Sequence, residues 1–513
     1  MIIRRAHLFG RPETERVDLL IRNGLIDAIE YAGHLPASDE HEEIDLDGRV
    51  LAPGLWDEHV HMGMWAEYRR RVDLTQASSP REAAETMAQA SSSVTDQIVI
   101  GAGYRDGLWG EPKTSELLDE QSGDRPWVLW SIDIHSCWLN SAAIALLGVE
   151  NVDESGVITE NDAFALAARL SDVPEATRDQ WIEEAVAEAS TRGVVGVVDL
   201  DLDDTHTNWV RRRSGVADFA LRVEAGVYPT HFDQAIASGR RTGDVIAPGV
   251  TVGPLKVITD GSLNTRTAYC FEPYVGMDSD NRGAMNFETD YLEGLLRQAK
   301  ENGYSAAFHA IGDEANDIVI GLFESVGLTG RIEHAQLLAP DAFPRMARAG
   351  LVASVQPQHA IDDRDVADKY WSDRSERVIA LRSMLAAGIT LAFGSDAPVS
   401  GLSPLDQIAA AVTRTDDSRV PWHPEQRIGV AEAFGASART TIEVGQPADL
   451  VALGADPLWL ERAMASDPSA LSQALRALPV ELTVVDGRVT HNLLNEALGG
   501  DDGNRTRTIS LED

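Results

Sequence analysis

From about residue 190 to 440 the chain alternates short apolar runs with stretches of helical period, a pattern that few architectures accept. The runs cover residues 193–199, 221–228, 255–260, 305–309, 331–334, 351–357 and 391–396. Each is too short for a stable helix, and most are rich in Val, Ile or Phe. Amphipathic segments at 288–302, 313–326, 375–387 and 403–414 lie between several of them, with Gly303, Gly327 and Gly388 placed as C-caps. An eighth run sits upstream at 51–57. Alternation of this kind implies parallel strands covered on both faces. Eight such units predict an α/β chain built on a closed (β/α)8 TIM-like barrel.

The barrel is expected to span 53–441, interrupted after its first strand by an insert at 75–190. The insert has its own strand candidates (97–104, 127–133) and helix candidates (80–92, 177–190). The two chain ends resemble each other, with alternating strands at 16–21, 24–29, 445–452 and 482–485 and a hairpin turn at Asp486-Gly487. A composite β-sandwich domain is predicted from 1–52 plus 442–495, followed by a disordered tail at 496–513 that is rich in Asp, Gly and Arg.

Composition narrows the function. With 44 Lys+Arg against 82 Asp+Glu in 513 residues the net charge is −38, which repels nucleic acid and anionic membranes. Only four basic residues are lysine, at 113, 256, 300 and 369, a lysine-poor acidic surface expected of adaptation to high salt, where charge repulsion is screened. A merely acidic mesophilic enzyme is the alternative. Two cysteines exclude a disulfide framework. No run spans a bilayer and the first residues lack a secretory signal's apolar stretch, so a cytoplasmic protein is expected. The acidic run at 199–204 lacks the Gly and distal Glu of a calcium loop.

Barrel enzymes place their chemistry at the C-terminal ends of the strands, and several of the 13 histidines fall there. His59 and His61 follow the first strand two residues apart, so in extended chain both face one ion. His309 ends the fifth strand, His334 the sixth, and Asp396 the eighth. Taken singly, each has a duller reading as a surface, capping or turn residue. Together, four imidazoles and a carboxylate suit a divalent metal, zinc before iron or manganese. Lys256, on the fourth strand, is a primary amine in a chain that otherwise uses Arg. It can react with carbon dioxide to form a carbamate that bridges two metals, or it can be a buried Lys paired with Asp260 or another strand-end carboxylate.

The segments 52–61 (Ala-Pro-Gly-Leu-Trp-Asp-Glu-His-Val-His), 255–263, 308–313, 331–336, 354–357 and 393–398 resemble the amidohydrolase superfamily. Within it they are similar to amidohydrolase family 3, the branch with N-substituted formamide deformylase-like enzymes, as is Asp133-Ile-His-Ser-Cys-Trp-Leu-Asn-Ser141 in the insert. The resemblance covers roughly residues 16–490. It implies that His59, His61 and Asp396 bind one metal and His309 and His334 a second, bridged by carboxylated Lys256, with one or two metals per chain.

A bound divalent ion lowers the pKa of its water toward ~7. Asp396 is placed to accept that water's proton and deliver it to a leaving amine; a purely structural ligand is its other reading. The expected reaction is hydrolysis of a carbon–nitrogen bond in a small non-peptide amide. Deamination, ester-type hydrolysis and a non-catalytic barrel are the alternatives. Serine hydrolysis is disfavoured because the chain lacks a Gly-x-Ser-x-Gly elbow. Tyr104, Trp109, His135 and Trp138 of the insert, and Arg266, Gln356 and His359 after barrel strands, are candidates for substrate contact. A small-molecule substrate and a homodimer complete the expected partners.

Overall fold

The computed structural model describes residues 1–494 except 37–40, 93, 95, 96, 133–135, 151, 171, 172, 216 and 217. The expected tail at 496–513 and His135 therefore lie outside the described residues.

Eight parallel strands form the central sheet: β1 (Leu55–Val60), β2 (Val194–Asp199), β3 (Arg222–Val227), β4 (Val250–Ile258), β5 (Ala306–Ala310), β6 (Gly330–His334), β7 (Val352–Val355) and β8 (Thr390–Phe393). Each pairs with the next in sequence order. The circle nearly closes where a bridge joins Val60 to Ala397 and the Asp396 amide donates to the His59 carbonyl at 2.7 Å. Strand β2, Val-Val-Gly-Val-Val-Asp, is buried along its whole length, as a strand covered on both faces must be. Its Gly196 is required because a Cβ there would come within 2.4 Å of the Trp56 ring.

Helices cover the barrel at Thr289–Asn302, Asp313–Val326 and Pro404–Thr413, the first two ending on left-handed Gly303 and Gly327. The segment expected as a helix at 375–387 instead splits into a 3-10 turn, Ser375–Arg377, and a short helix, Leu381–Ala386. The helix Glu175–Thr191 lies within the interval read as insert but packs Ile182, Ala185 and Ala189 against Val194 and Val197 of β2, so it is part of the barrel wall.

The upstream run at 51–57 divides at Gly54. Val50–Pro53 pairs antiparallel with Leu450–Leu453 from the other chain end, and only Leu55 onward enters the barrel. The chain ends build one sheet ordered Arg488–Asn492, Val480–Val485, Leu450–Leu453, Val50–Pro53, Ile2–Leu8, Val17–Arg22, Leu25–Tyr31, with Glu43–Asp45 also against Ile2–Leu8. Asp486 and Gly487 both take positive φ (52° and 73°), as the tight turn before Arg488–Asn492 requires. The insert has its own five-stranded sheet, ordered Val157–Thr159, Ser136–Leu139, Trp127–Ser131, Val99–Tyr104, Val72–Asp73. Among the described residues no helix is long and apolar enough to cross a membrane.

Candidate metal centre

The site is built where β1, β4, β5, β6 and β8 end. In β1 the pairing with β2 gains one residue between Asp57 and Val60, a bulge that re-aims the side chains around His59. His61 lies just beyond the strand and starts the helix Met62–Tyr68. The two imidazoles meet on Asp396, whose Oδ1 is 3.4 Å from His59 Nε2 and 3.2 Å from His61 Nε2. Gly394 makes this approach possible, since a Cβ there would sit 2.5 Å from the His59 backbone nitrogen.

Two of these residues hold strained backbone. Asp396 has φ 57° and His334 φ 70°, left-handed values that are uncommon for non-glycine residues. At β6 this matters directly. Glu333 and His334 are neighbours and would face opposite sides of a regular strand. The left-handed turn at His334 brings its ring to 5.1 Å from His59 and 4.4 Å from His309, centroid to centroid, while Glu333 also reaches His59. Ligand atoms of His59, His334 and Asp396 all lie within 4.8 Å of one another, and all three residues are buried.

The electrostatics suit a cation. Burial, reinforced by Lys256, pushes His59 down to about 4 and His309 to about 3; burial also holds His334 well below its ordinary value. These rings are therefore neutral, the form that binds metal. Asp396 stays ionised against the cost of burial because His59, His61 and His334 surround it. The buried His61 Nδ1 and His334 Nδ1 have no hydrogen-bond partner among the described residues. Neutral imidazoles, an ionised carboxylate and these orphaned nitrogens fit a divalent metal.

Lys256 is buried with Nζ 3.5 Å from His59 Nε2, and it forms no ion pair among the described residues. The pairing with Asp260 does not form, because Asp260 accepts instead from the backbone amides of Tyr269, Ile311 and Gly312 at 2.9, 3.1 and 2.9 Å. Burial lowers the Lys256 amine to about 8.

Several carboxylates that sequence reasoning did not assign to the site stand behind the histidines. Glu333 Oε2 is 2.7 Å from His59 Nδ1, and Asp260 Oδ1 is 3.4 Å from His309 Nε2. Asp57, which burial pushes up to about 7, accepts from the amides of His59 and Ser395 at 3.1 and 2.9 Å and so ties β1 to the Asp396 loop. The available signal was their position: each is an acid within four residues of a candidate ligand.

The expected substrate residues separate into two sets. His359 joins the cluster, its Nε2 3.4 Å from Asp396 Oδ2, and Gln356 is buried with its amide 3.3 Å from His59 Nδ1. Arg266 (φ 58°) lies on the loop after β4, its guanidinium over the Tyr370 ring and bonded to the Asn264 carbonyl at 2.7 Å. That loop reaches the mouth through Asn264, which bonds Asp363, itself bonded by Gln336 two residues past His334. Tyr104, Trp109 and Trp138 are not brought to the cluster. Tyr104 and Trp138 are buried in the core of the insert and Trp109, partly buried, packs against it, where a small sheet needs large rings to bury enough surface. The insert touches the mouth through Arg105, which pairs with Asp362 at 3.3 Å.

The chain belongs to the amidohydrolase family, whose sequence model matches residues 42–491. Among similar proteins is Protein LONG AFTER FAR-RED 3 of Arabidopsis thaliana, 29% identical over 81% of this chain and 78% of that one. Another is the N-substituted formamide deformylase of Arthrobacter pascens, 24% identical over 88% of this chain and 90% of that one. The fold matches the crystal structure of an uncharacterized metal-dependent hydrolase from Pyrococcus horikoshii OT3 with TM-score 0.73 at 24% identity, covering 89% of this chain and 98% of that one.

Proposed function

We propose that this protein hydrolyses a carbon–nitrogen bond other than a peptide bond in a small amide, using divalent zinc, one ion held by His59, His61 and Asp396 and a second by His309 and His334. The observation that carries this reading is the convergence of His59, His334 and Asp396, with ligand atoms within 4.8 Å, on neutral rings and one ionised carboxylate. An ion bound there supplies Lewis acidity, polarising the amide carbonyl and acidifying water. Asp396 accepts the proton of the attacking water and delivers it to the leaving amine, with His359 Nε2 3.4 Å from its other oxygen. Lys256 is the amine for carbamate formation: buried, without a carboxylate partner among the described residues and shifted toward neutrality. The name of the Arthrobacter relative favours N-substituted formamides as the first substrates to try. The acidic, lysine-poor surface supports work in a salty cytoplasm. The shared core of Ile3, Leu19, Leu51, Leu450 and Val484 supports reading the end-built sheet as a small sandwich.

The test is metal content and hydrolysis of a formamide and N-acyl panel, for wild type and Lys256→Ala purified at high salt. About two metals per chain, falling in the variant, with hydrolysis by wild type, is the expected result. Absence of metal from both proteins would overturn the reading.

A further inference from the structure

Beneath the histidines the barrel interior carries a chain of charge where barrels of this kind are normally filled with branched apolar side chains. It begins at Arg439, whose guanidinium lies 3.9 Å from the centre of the Trp56 ring. Arg439 Nε and Nη2 donate to Glu58 Oε1 and Oε2, both at 2.6 Å. Glu58 Oε2 also accepts from Arg331 Nη1 at 3.0 Å. Arg331 Nε donates to Glu333 Oε1 at 2.5 Å, and its Nη2 donates to Ser354 Oγ at 2.7 Å. Ser354 Oγ donates its own hydrogen bond to Glu333 Oε2 at 2.6 Å. That same oxygen lies 2.7 Å from His59 Nδ1. Glu333 and Ser354 are fully buried and Glu58 nearly so.

A buried ion chain is weak evidence for stability, because well-packed apolar residues of similar volume often do as well. Its value lies in what it holds in place. Both oxygens of Glu333 are occupied from below by Arg331 and Ser354, so the carboxylate has one orientation and meets His59 from one side. Resting on the reading of His59 as a ligand, we infer that Glu333 is a positioning residue. It keeps the proton of His59 on Nδ1 and thereby turns the lone pair of Nε2 toward Asp396 and Lys256, with Arg331 and Ser354 as its anchors.

Gln356 is the competitor, since its amide nitrogen sits 3.3 Å from the same Nδ1 and as a donor would impose the opposite tautomer. The carboxylate prevails on distance and charge, because a charge-assisted bond is roughly twice as strong as a neutral one. An imidazole that donates from Nδ1 to a fixed carboxylate is the arrangement expected behind a metal ligand, where loss of the outer partner costs ~10–100-fold in affinity.

The experiment is a titration of metal-free protein with Co(II), followed by visible absorption, on wild type, Glu333→Gln and Ser354→Ala, with folding checked by circular dichroism. Glu333→Gln is expected to bind cobalt ~10–100-fold more weakly and with an altered visible spectrum. Ser354→Ala, which leaves the Arg331–Glu333 pair in place, is expected to weaken binding in the same direction by a smaller factor. Wild-type affinity and spectrum in a folded Glu333→Gln would overturn the inference. If that variant does not fold, the decision passes to Ser354→Ala, whose unchanged affinity and spectrum would overturn it equally. A wild type that binds no cobalt removes the functional reading and this inference together, whereas tight wild-type binding with unaffected variants removes the inference alone.

Discussion

The barrel mouth and the insert bury similar residue types to different ends. At the mouth, His59, His334 and Asp396 are buried against one another. In the insert, Tyr104 and Trp138 are buried among Leu74, Met87, Leu118 and Trp127. The polar atoms follow suit. The Tyr104 hydroxyl is 3.1 Å from Ser136 Oγ and the Trp138 indole donates to the Thr114 carbonyl at 3.2 Å, so the insert's own structure satisfies them, while His61 Nδ1 and His334 Nδ1 have no partner among the described residues. The cause is topological. Eight strands around one axis aim their C-terminal ends at a common point, whereas a five-stranded open sheet buries each face against its own helices. A strand-end polar or aromatic residue is therefore evidence of a site only when the sheet converges.

This contrast is open to attack by mutation, and the largest effect is expected at Asp396. Asp396→Asn should lower turnover of whichever amide the wild type hydrolyses by ~10²–10⁴-fold, the usual weight of a general base, while leaving the insert's resistance to proteolysis unchanged. A variant retaining full turnover would show that the mouth's carboxylate is structural.

Trp138→Ala makes the opposite cut. Deleting this buried ring should destabilise the insert by about 3–5 kcal/mol, seen as faster hydrogen exchange over Val99–Tyr104 and Trp127–Ser131, with metal content of the barrel unaltered. Loss of metal in that variant would mean the two regions are not separate in the way their cores imply. The smallest effect belongs to the contact between them. Arg105 is about a third exposed in its pair with Asp362, so Arg105→Ala should change stability by well under ~1 kcal/mol, less at high salt. A melting temperature that moves by several degrees would instead make the insert an integral wall of the mouth.

The ligand positions could be read in advance because each sits where an apolar run stops, and a run of β-branched residues between helical stretches is a local property of the chain. Lys256 stood out because lysine is so scarce here. Glu333 was hidden by the same reasoning that exposed His334, since adjacent strand residues are expected on opposite faces and only the left-handed backbone at His334 turns both toward the histidines. The run at 51–57 read as one strand because its apolar character continues through Gly54, yet its two halves pair in different sheets. Helix Glu175–Thr191 carries no mark in its own residues of which sheet it covers; its packing on β2 decides that.

Sequence alone determined the number and order of the parallel strands, the small sheet drawn from both ends, and the residue types at the strand ends, because all of these follow from short-range periodicity and from the chemistry of individual side chains. Tertiary structure alone decided which of those side chains share a space. The approach of Glu333 to His59, the separation of Lys256 from Asp260, the charged floor from Arg439 to Glu333 and the packing of Tyr104, Trp109 and Trp138 within the insert are set by residues far apart in the chain. They depend on strand register, a bulge and two left-handed residues, and no local pattern encodes where such features bring distant atoms together.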